Sequence, residues 1–250
     1  MTKKTSVISL PSPINRVVLS FLLPFAAATL LSFFTATNNA ESLAATALFL
    51  GVLGAVSWVL GLRWYGLPAM GLRGGRPFFA SIGFAVLAWI ILFLARLYFV
   101  DSNGLGSTGA AAMFFHLLIF EAFCVQLYAF GPFFRSVTDW LGALTAAITS
   151  GLVFAFIGLF YFTEPHTLSL QAVFYFATWG ILYGLIRLRT GSILGTVLVQ
   201  AMQAFTAWFV LLPPTSPDVN WLNWMSIAVG GLFIVVIWRL WPKTEEDYRV

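Results

Sequence analysis

The residue whose type and position suggest chemistry is Glu121, which lies near the middle of the apolar stretch 111–131. The stretch is long enough to cross a bilayer, and a carboxylate at that depth costs roughly 2.5 kcal/mol or more. Acids in such stretches usually face the interior of a helix bundle, find a polar partner and mark a site. Two interpretations stay open: Glu121 is a structural acid bonded to an amide such as Gln200, or it is a general base.

Few other polar groups lie within the apolar stretches. His116 precedes Glu121 by five residues, about 140° around an α-helix, so the two side chains are predicted to lie on different faces. We interpret His116 as a packed or interfacial histidine. Thr196, Gln200 and Gln203 follow one another at i, i+4 and i+7 and therefore share one helical stripe. Amides at such depth commonly join neighbouring helices.

The composition indicates that these groups lie in a membrane-embedded protein. Of the 250 residues, 60% are hydrophobic and only 9% are charged, whereas a soluble domain carries about 25% charged residues. The chain therefore lacks the polar surface of a soluble domain, and we predict an integral membrane protein in contact with the lipid bilayer. The net charge of +4 comes from dispersed basic residues and does not indicate nucleic-acid binding. The single cysteine, Cys124, excludes an internal disulfide and multi-cysteine metal sites, and is predicted to be a buried core residue.

Apolar stretches of about 18–23 residues recur along the chain, each matching a hydrocarbon core of about 30 Å. They predict an all-α integral membrane protein, a bundle of about eight transmembrane helices, at residues 17–34, 43–62, 78–95, 111–131, 140–162, 168–186, 192–212 and 221–240. The predicted organisation is an N-terminal part with helices 1–2 (residues 1–62), a core with helices 3–7 (63–212), and helix 8 with a charged tail (213–250).

The basic residues predict the orientation, because Lys and Arg concentrate in cytoplasmic loops. With eight spans and both the N- and C-termini in the cytoplasm, only Arg96 of the 13 Lys and Arg residues lies on the far side. The cytoplasmic set is Lys3, Lys4, Arg16, Arg63, Arg73, Arg76, Arg135, Arg187, Arg189, Arg239, Lys243 and Arg249. The sequence thus predicts a multi-pass protein of the cell (plasma) membrane.

Four stretches carry a resemblance to a known family: residues 66–78, with Gly-Leu-Arg before an apolar run; 119–131, around Glu121; 150–158; and 185–203. Together they resemble the CPBP family of intramembrane metalloproteases, which comprises CAAX prenyl proteases and bacterial relatives tied to bacteriocin immunity and processing (the Abi family). The resemblance covers about residues 60–210.

The resemblance implies site residues position by position. The first Glu of the family's Glu-Glu-x-x-x-Arg motif matches Glu121, and the remaining motif positions fall on Ala122, Gln126, Gly158, Gln200 and Ala204, with Gln203 as the amide nearest the last. In the family, the Glu and two His are thought to activate a water, and zinc is a candidate cofactor. Here both His positions are replaced, by Gly158 and Gln200. No cofactor and no metal ligand set is therefore expected, and Gln126, Gly158, Gln200 and Gln203 are expected to line a cavity.

These implications leave several functions open. The first is a CPBP-like pseudoenzyme, with degenerate or lost proteolytic activity, which binds a membrane peptide or a prenylated or otherwise lipidated protein tail. The second is an active but divergent endopeptidase with Glu121 as general base and His116 recruited to it. The third is a small transporter or channel with Glu121 as a proton or cation relay, and the fourth is a structural subunit in which Glu121 only joins helices.

Overall fold

The chain is helical wherever its structure is described. The computed structural model describes residues 11–36, 42–101, 109–161, 168–211 and 218–249, and these ranges contain no strand. The helices are α1 (Pro13–Ala36), α2 (Ser42–Trp64), α3 (Arg76–Phe99), α4 (Ala110–His116), α5 (Val125–Phe130), α6 (Pro132–Leu141), α7 (Ala143–Tyr161), α8 (Leu170–Thr190), α9 (Leu194–Phe205) and α10 (Val219–Leu240). Two π-helical segments, Leu117–Cys124 and Thr206–Val210, join α4 to α5 and extend α9.

Six helical segments within the described ranges are long and apolar enough to cross a bilayer. Their length and composition support the prediction of an α-helical membrane protein. They are Pro13–Phe34, Ala45–Trp64, Arg76–Phe99, Ala110–Leu141, Ala143–Tyr161 and Val219–Leu240. The predicted sixth and seventh spans correspond to α8 and to the shorter α9, neither of which is in this set. The count of eight spans therefore stays a prediction.

Helix α8 lies inside the bundle, which explains why its composition differs from that of the other long helices. Its C-terminal half is buried almost throughout, and it packs against α7 on one side and α10 on the other. The contact with α7 is close because Gly180 lies directly against the backbone of Gly151. A helix enclosed by other helices does not need an apolar surface toward lipid, so α8 can carry arginines in its last turn.

One end of the bundle, which we call the basic end, gathers arginines from distant parts of the chain. Arg16 at the start of α1 forms an ion pair with Asp139 of α6 (2.8 Å), and Arg135 pairs with the same carboxylate (3.2 Å). Arg16 also donates a hydrogen bond to the Tyr65 hydroxyl at 2.7 Å. Burial raises the pKa of Tyr65, so its phenol stays neutral and can donate to Ser136, 3.0 Å away.

The C-terminal tail returns to the same end and binds the turn between α8 and α9. The Arg249 N–H donates to the Leu188 carbonyl (2.9 Å), and the Arg249 carbonyl accepts from Arg73 Nη1 (2.8 Å). Asp247 forms an ion pair with Arg189 at 2.9 Å. The beginning of α1 and the described C-terminal tail therefore lie at one end of the bundle.

Candidate functional site

Glu121 lies in a π-helical segment, which sequence analysis did not predict. In an α-helix the Val125 N–H would donate to the Glu121 carbonyl, but here it donates to the carbonyl of Ala122. Gln200 of α9 takes the vacant place, because its Nε2 donates to the Glu121 carbonyl at 2.9 Å. The π-helical turn thus exposes a main-chain acceptor inside the bundle, and a side chain from another helix satisfies it.

Gln200 is also the centre of a buried side-chain network. Gln126 Nε2 donates to Gln200 Oε1 at 2.7 Å, and the Thr196 hydroxyl donates to Gln126 Oε1 at 2.6 Å. All three side chains are buried, with exposed fractions of 0–2%. Ser81 of α3 extends the network, since its Oγ accepts from the Thr196 N–H at 3.2 Å. The amide network, defined as Ser81, Gln126, Thr196 and Gln200, joins α3, α5 and α9.

Thr196, Gln200 and Gln203 were predicted to share one helical stripe, but only Thr196 and Gln200 belong to the same hydrogen-bond network. Gln203 is buried but bonds elsewhere: its Oε1 accepts from the Tyr183 hydroxyl of α8 at 2.7 Å. Its Nε2 has no hydrogen-bond partner among the described residues. The stripe therefore connects α9 to α5 through Gln200 and to α8 through Gln203, and Tyr183 is a partner that no sequence signal indicated.

The residues on either side of Glu121 pack against two different helices. On one side Phe120 packs against α2, and on the other Ala122 packs against α9. Ile119 is 47% exposed and points away from the bundle, whereas Glu121 is half-buried. No hydrogen bond or ion pair joins the carboxylate to another residue in the described ranges. Gln200 does bond to Glu121, but to its main-chain carbonyl and not to the carboxylate as the structural interpretation expected.

The angle predicted between His116 and Glu121 assumed an α-helix, whereas the chain from Leu117 to Cys124 is π-helical. His116 directly precedes the π-helical segment, in which hydrogen bonds run from i to i+5. Residues five apart therefore lie roughly one turn apart on the same side. The ring of His116 packs on Phe120 with centroids 5.2 Å apart, and it makes no ion pair with Glu121. The other histidine, His166, lies outside the described residues.

Gly158 is not brought to the amide network. Its nearest neighbour from another helix is the ring of Phe176 on α8, and a Cβ at position 158 would be 2.6 Å from that ring. A metal-binding side chain would not fit there without moving Phe176. Among the described residues, no three His, Cys, Asp or Glu side chains are grouped to hold a metal ion. Cys124 is buried as predicted and packs against Gly54 of α2.

An apolar groove of about 490 Å³ lies between α1, α2 and α7, and Glu121 is not among its lining residues. Aromatic rings form most of its walls, and the hydroxyls of Thr29 and Tyr161 are among its few polar groups. Its lining residues are Phe25, Thr29, Ser32, Phe33, Phe49, Phe156, Ile157, Phe160 and Tyr161. Of the predicted cavity-lining residues, none lies in this groove; Gln203 lines a small cavity with Trp89 and Arg96.

The structure thus brings together Glu121, Gln126 and Gln200, leaves Gln203 beside them with a different partner, and places Gly158 elsewhere. The chain matches no protein-family model and no curated protein sequence.

Proposed function

We propose that the chain crosses the plasma membrane eight times with both termini in the cytoplasm. The basic end supports this topology, because Arg16, Arg73, Arg135 and Arg187 meet there although they are far apart in the sequence. Gathering of basic residues on one side is the usual sign of the cytoplasmic face. A reporter that is active only in the cytoplasm should be active when it is fused at Arg73. An extracytoplasmic signal from that fusion would contradict the proposed orientation.

We further propose that the protein is a CPBP-like membrane protein that no longer cleaves peptides and instead binds a membrane peptide or a lipidated tail. One observation carries the loss of cleavage: Gln126 and Gln200, at positions where the resemblance requires an Arg and a His, bond to each other. A side-chain amide does not act as an acid or a base at neutral pH and is a poor ligand for transition metals. With these two amides paired, neither can help Glu121 to hold a metal or an activated water.

The Glu121 carboxylate supports the binding role. Its neighbours Phe120 and Ala122 pack on α2 and α9, and the carboxylate has no partner among the described residues, in a region where an unpaired charge is unfavourable. A bound segment that offers an N–H group or an ammonium group would compensate for this cost. The groove between α1, α2 and α7 could hold the hydrocarbon part of such a ligand, because its walls are almost entirely apolar.

The test measures binding and cleavage on one preparation. Purified protein in liposomes is mixed with a fluorescent peptide, prenylated or not, and anisotropy and product formation are followed together. We expect saturable binding without product, weaker binding to Glu121→Gln, and retained binding to Glu121→Asp, which keeps the charge. A requirement for the prenyl group would implicate the groove. Product formation that is abolished by Glu121→Gln would overturn the proposed loss of cleavage.

A divergent endopeptidase is the second candidate, and the π-helical segment is the observation that favours it. The i to i+5 spacing places His116 and Glu121 roughly on the same side of the helix. In this case peptide cleavage would occur and would depend on both residues. His116→Ala with unchanged cleavage would exclude the pair as the catalytic unit.

A further inference from the structure

Arg187, in the last turn of α8, is a buried cation with little compensation. Its side chain is 1% exposed, and Nη2 donates to the Ala69 carbonyl at 2.9 Å. Nε and Nη1 have no hydrogen-bond partner in the described part of the chain. The guanidinium carbon lies 5.2 Å from the centroid of the Phe134 ring, a cation–π contact. Most of the N–H donors of Arg187 are thus left unused.

The charges around Arg187 have the same sign. The charged groups that affect it most are Arg73 and Arg135, and it forms no ion pair with a described carboxylate. The nearby acids have other partners, since Asp139 pairs with Arg16 and Arg135 and Asp247 pairs with Arg189. A buried charge without a counter-ion is strongly unfavourable, and like charges nearby increase the cost. An anion at this place would remove that cost.

We propose that Arg187, with Arg73 and Arg135, binds a phosphate group at the basic end. Arginine is a strong phosphate ligand because its guanidinium is always charged and carries several N–H donors, and Nε and Nη1 of Arg187 are unused donors. The last turn of a bilayer-length helix lies at the level of lipid headgroups. The phosphate can therefore belong to a phospholipid headgroup or be free in solution.

The loop of residues 66–75 packs against the guanidinium of Arg187. Gly71 lies directly on the guanidinium, where a Cβ would be 2.5 Å from Nε, and its φ of +88° favours glycine. The loop is tied to the α8–α9 turn by the Ile193 N–H, which donates to the Gly71 carbonyl, and by the Ser192 hydroxyl, which donates to the Arg73 carbonyl. A phosphate reaches Arg187 when Gly71 moves away from it, so binding and loop displacement are coupled.

The test compares Arg187→Gln with Arg189→Gln, two residues along the same helix, whose arginine is part-exposed and already paired with Asp247. Thermal unfolding of the full-length protein in detergent is followed while sodium phosphate is titrated at constant ionic strength. A parallel titration uses phosphatidylglycerol, with diacylglycerol as the phosphate-free lipid. We expect a saturable rise in melting temperature for the wild type and Arg189→Gln, and an apparent affinity for phosphate about tenfold or more weaker in Arg187→Gln.

The outcomes separate the sources and the alternatives. If sodium phosphate raises the melting temperature, free phosphate is sufficient for binding. If only phosphatidylglycerol raises it, the ligand is the phosphate of a lipid headgroup. In the absence of both sodium phosphate and phosphatidylglycerol, the melting temperature of Arg187→Gln should be no lower than that of the wild type, because the substitution removes an uncompensated charge. Equal responses of the wild type and Arg187→Gln, or no response in either titration, would overturn the proposal. If Arg187→Gln does not fold, Arg73→Gln replaces it, with the same weaker response expected and the same equality overturning the proposal.

Discussion

The amide network gives a prediction whose size follows from its hydrogen bonds. Gln200→Leu removes two bonds and leaves the Gln126 Nε2 and the Glu121 carbonyl without partners. Interhelical hydrogen bonds in membrane proteins are worth about 0.6 kcal/mol on average and at most about 1.7. Two bonds therefore predict a loss of about 1–3 kcal/mol in the free energy of unfolding. Gln126→Leu should cost less, because the Thr196 hydroxyl keeps the Ile193 carbonyl, 2.8 Å away, as its acceptor.

A double-mutant cycle tests the bond between Gln126 and Gln200 directly. In the double leucine variant only the Glu121 carbonyl lacks a partner, so its destabilisation should be smaller than the sum of the two single effects by about 1 kcal/mol. The control cycle combines Gln126→Leu with Gln203→Leu, two positions that share no hydrogen bond, and should be nearly additive.

Both cycles can be measured with the protein in mixed micelles, where an increasing fraction of SDS unfolds it and tryptophan fluorescence follows the transition. The chain contains 10 tryptophans, which provide the signal. Equal effects of the two single substitutions at Gln126 and Gln200, together with an additive double variant, would refute the assigned bond. Cleavage or binding activity is not needed for this measurement, so it tests the structure independently of the proposed function.

The close contact of α7 with α8 and the C-terminal tail each allow one further prediction. Gly180→Ala should lower the free energy of unfolding by about 1–3 kcal/mol, because the methyl group would collide with the Gly151 carbonyl. The control, Gly231→Ala, has open space for the methyl group and should be neutral or mildly stabilising in the same assay. Equal losses of stability in the two variants would contradict this prediction. The pKa of Asp247 is lowered, mainly by the hydrogen bond from the Lys243 N–H, so tail docking should be complete above the usual aspartate pKa of about 4 and lost as pH falls through the lowered value. Hydrogen exchange in the tail should show this transition, and Asp247→Asn should abolish it.

Hydropathy located the long lipid-facing helices well, because a helix in contact with lipid carries apolar side chains along most of its length. Residues 17–34 were predicted as a span and lie within Pro13–Ala36, and residues 221–240 lie within Val219–Leu240. The prediction failed where the surroundings change. Residues 132–139 were left between the predicted spans 111–131 and 140–162, but they belong to α6, whose Phe133, Phe134 and Val137 are buried. A short helix at the basic end has no bilayer-length apolar pattern to indicate it.

The polar partners could be foreseen only in part. The depth of Glu121 and the stripe of Gln200 and Gln203 predicted amides that join helices, and Gln200 does bond to Glu121. The atoms differ from the prediction, since hydropathy cannot state whether a carbonyl or a carboxylate will need a donor. Tyr183 was also not predicted, because its place on α8 and that of Gln203 on α9 meet only through tertiary packing.

The π-helical segment is the feature that changes how the site is understood. An α-helical interpretation separates His116 from Glu121 by about 140° and leaves every carbonyl of the helix bonded within it. The observed segment frees the Glu121 carbonyl, which then fixes Gln200, and Gln200 in turn occupies the donor of Gln126. The same backbone change that brings His116 toward the side of Glu121 thus holds the two amides in a closed pair. If the pair were opened by Gln200→Leu, the need for a π-helical turn would be reduced, and the distance between His116 and Glu121 should increase as the segment returns to α-helical spacing.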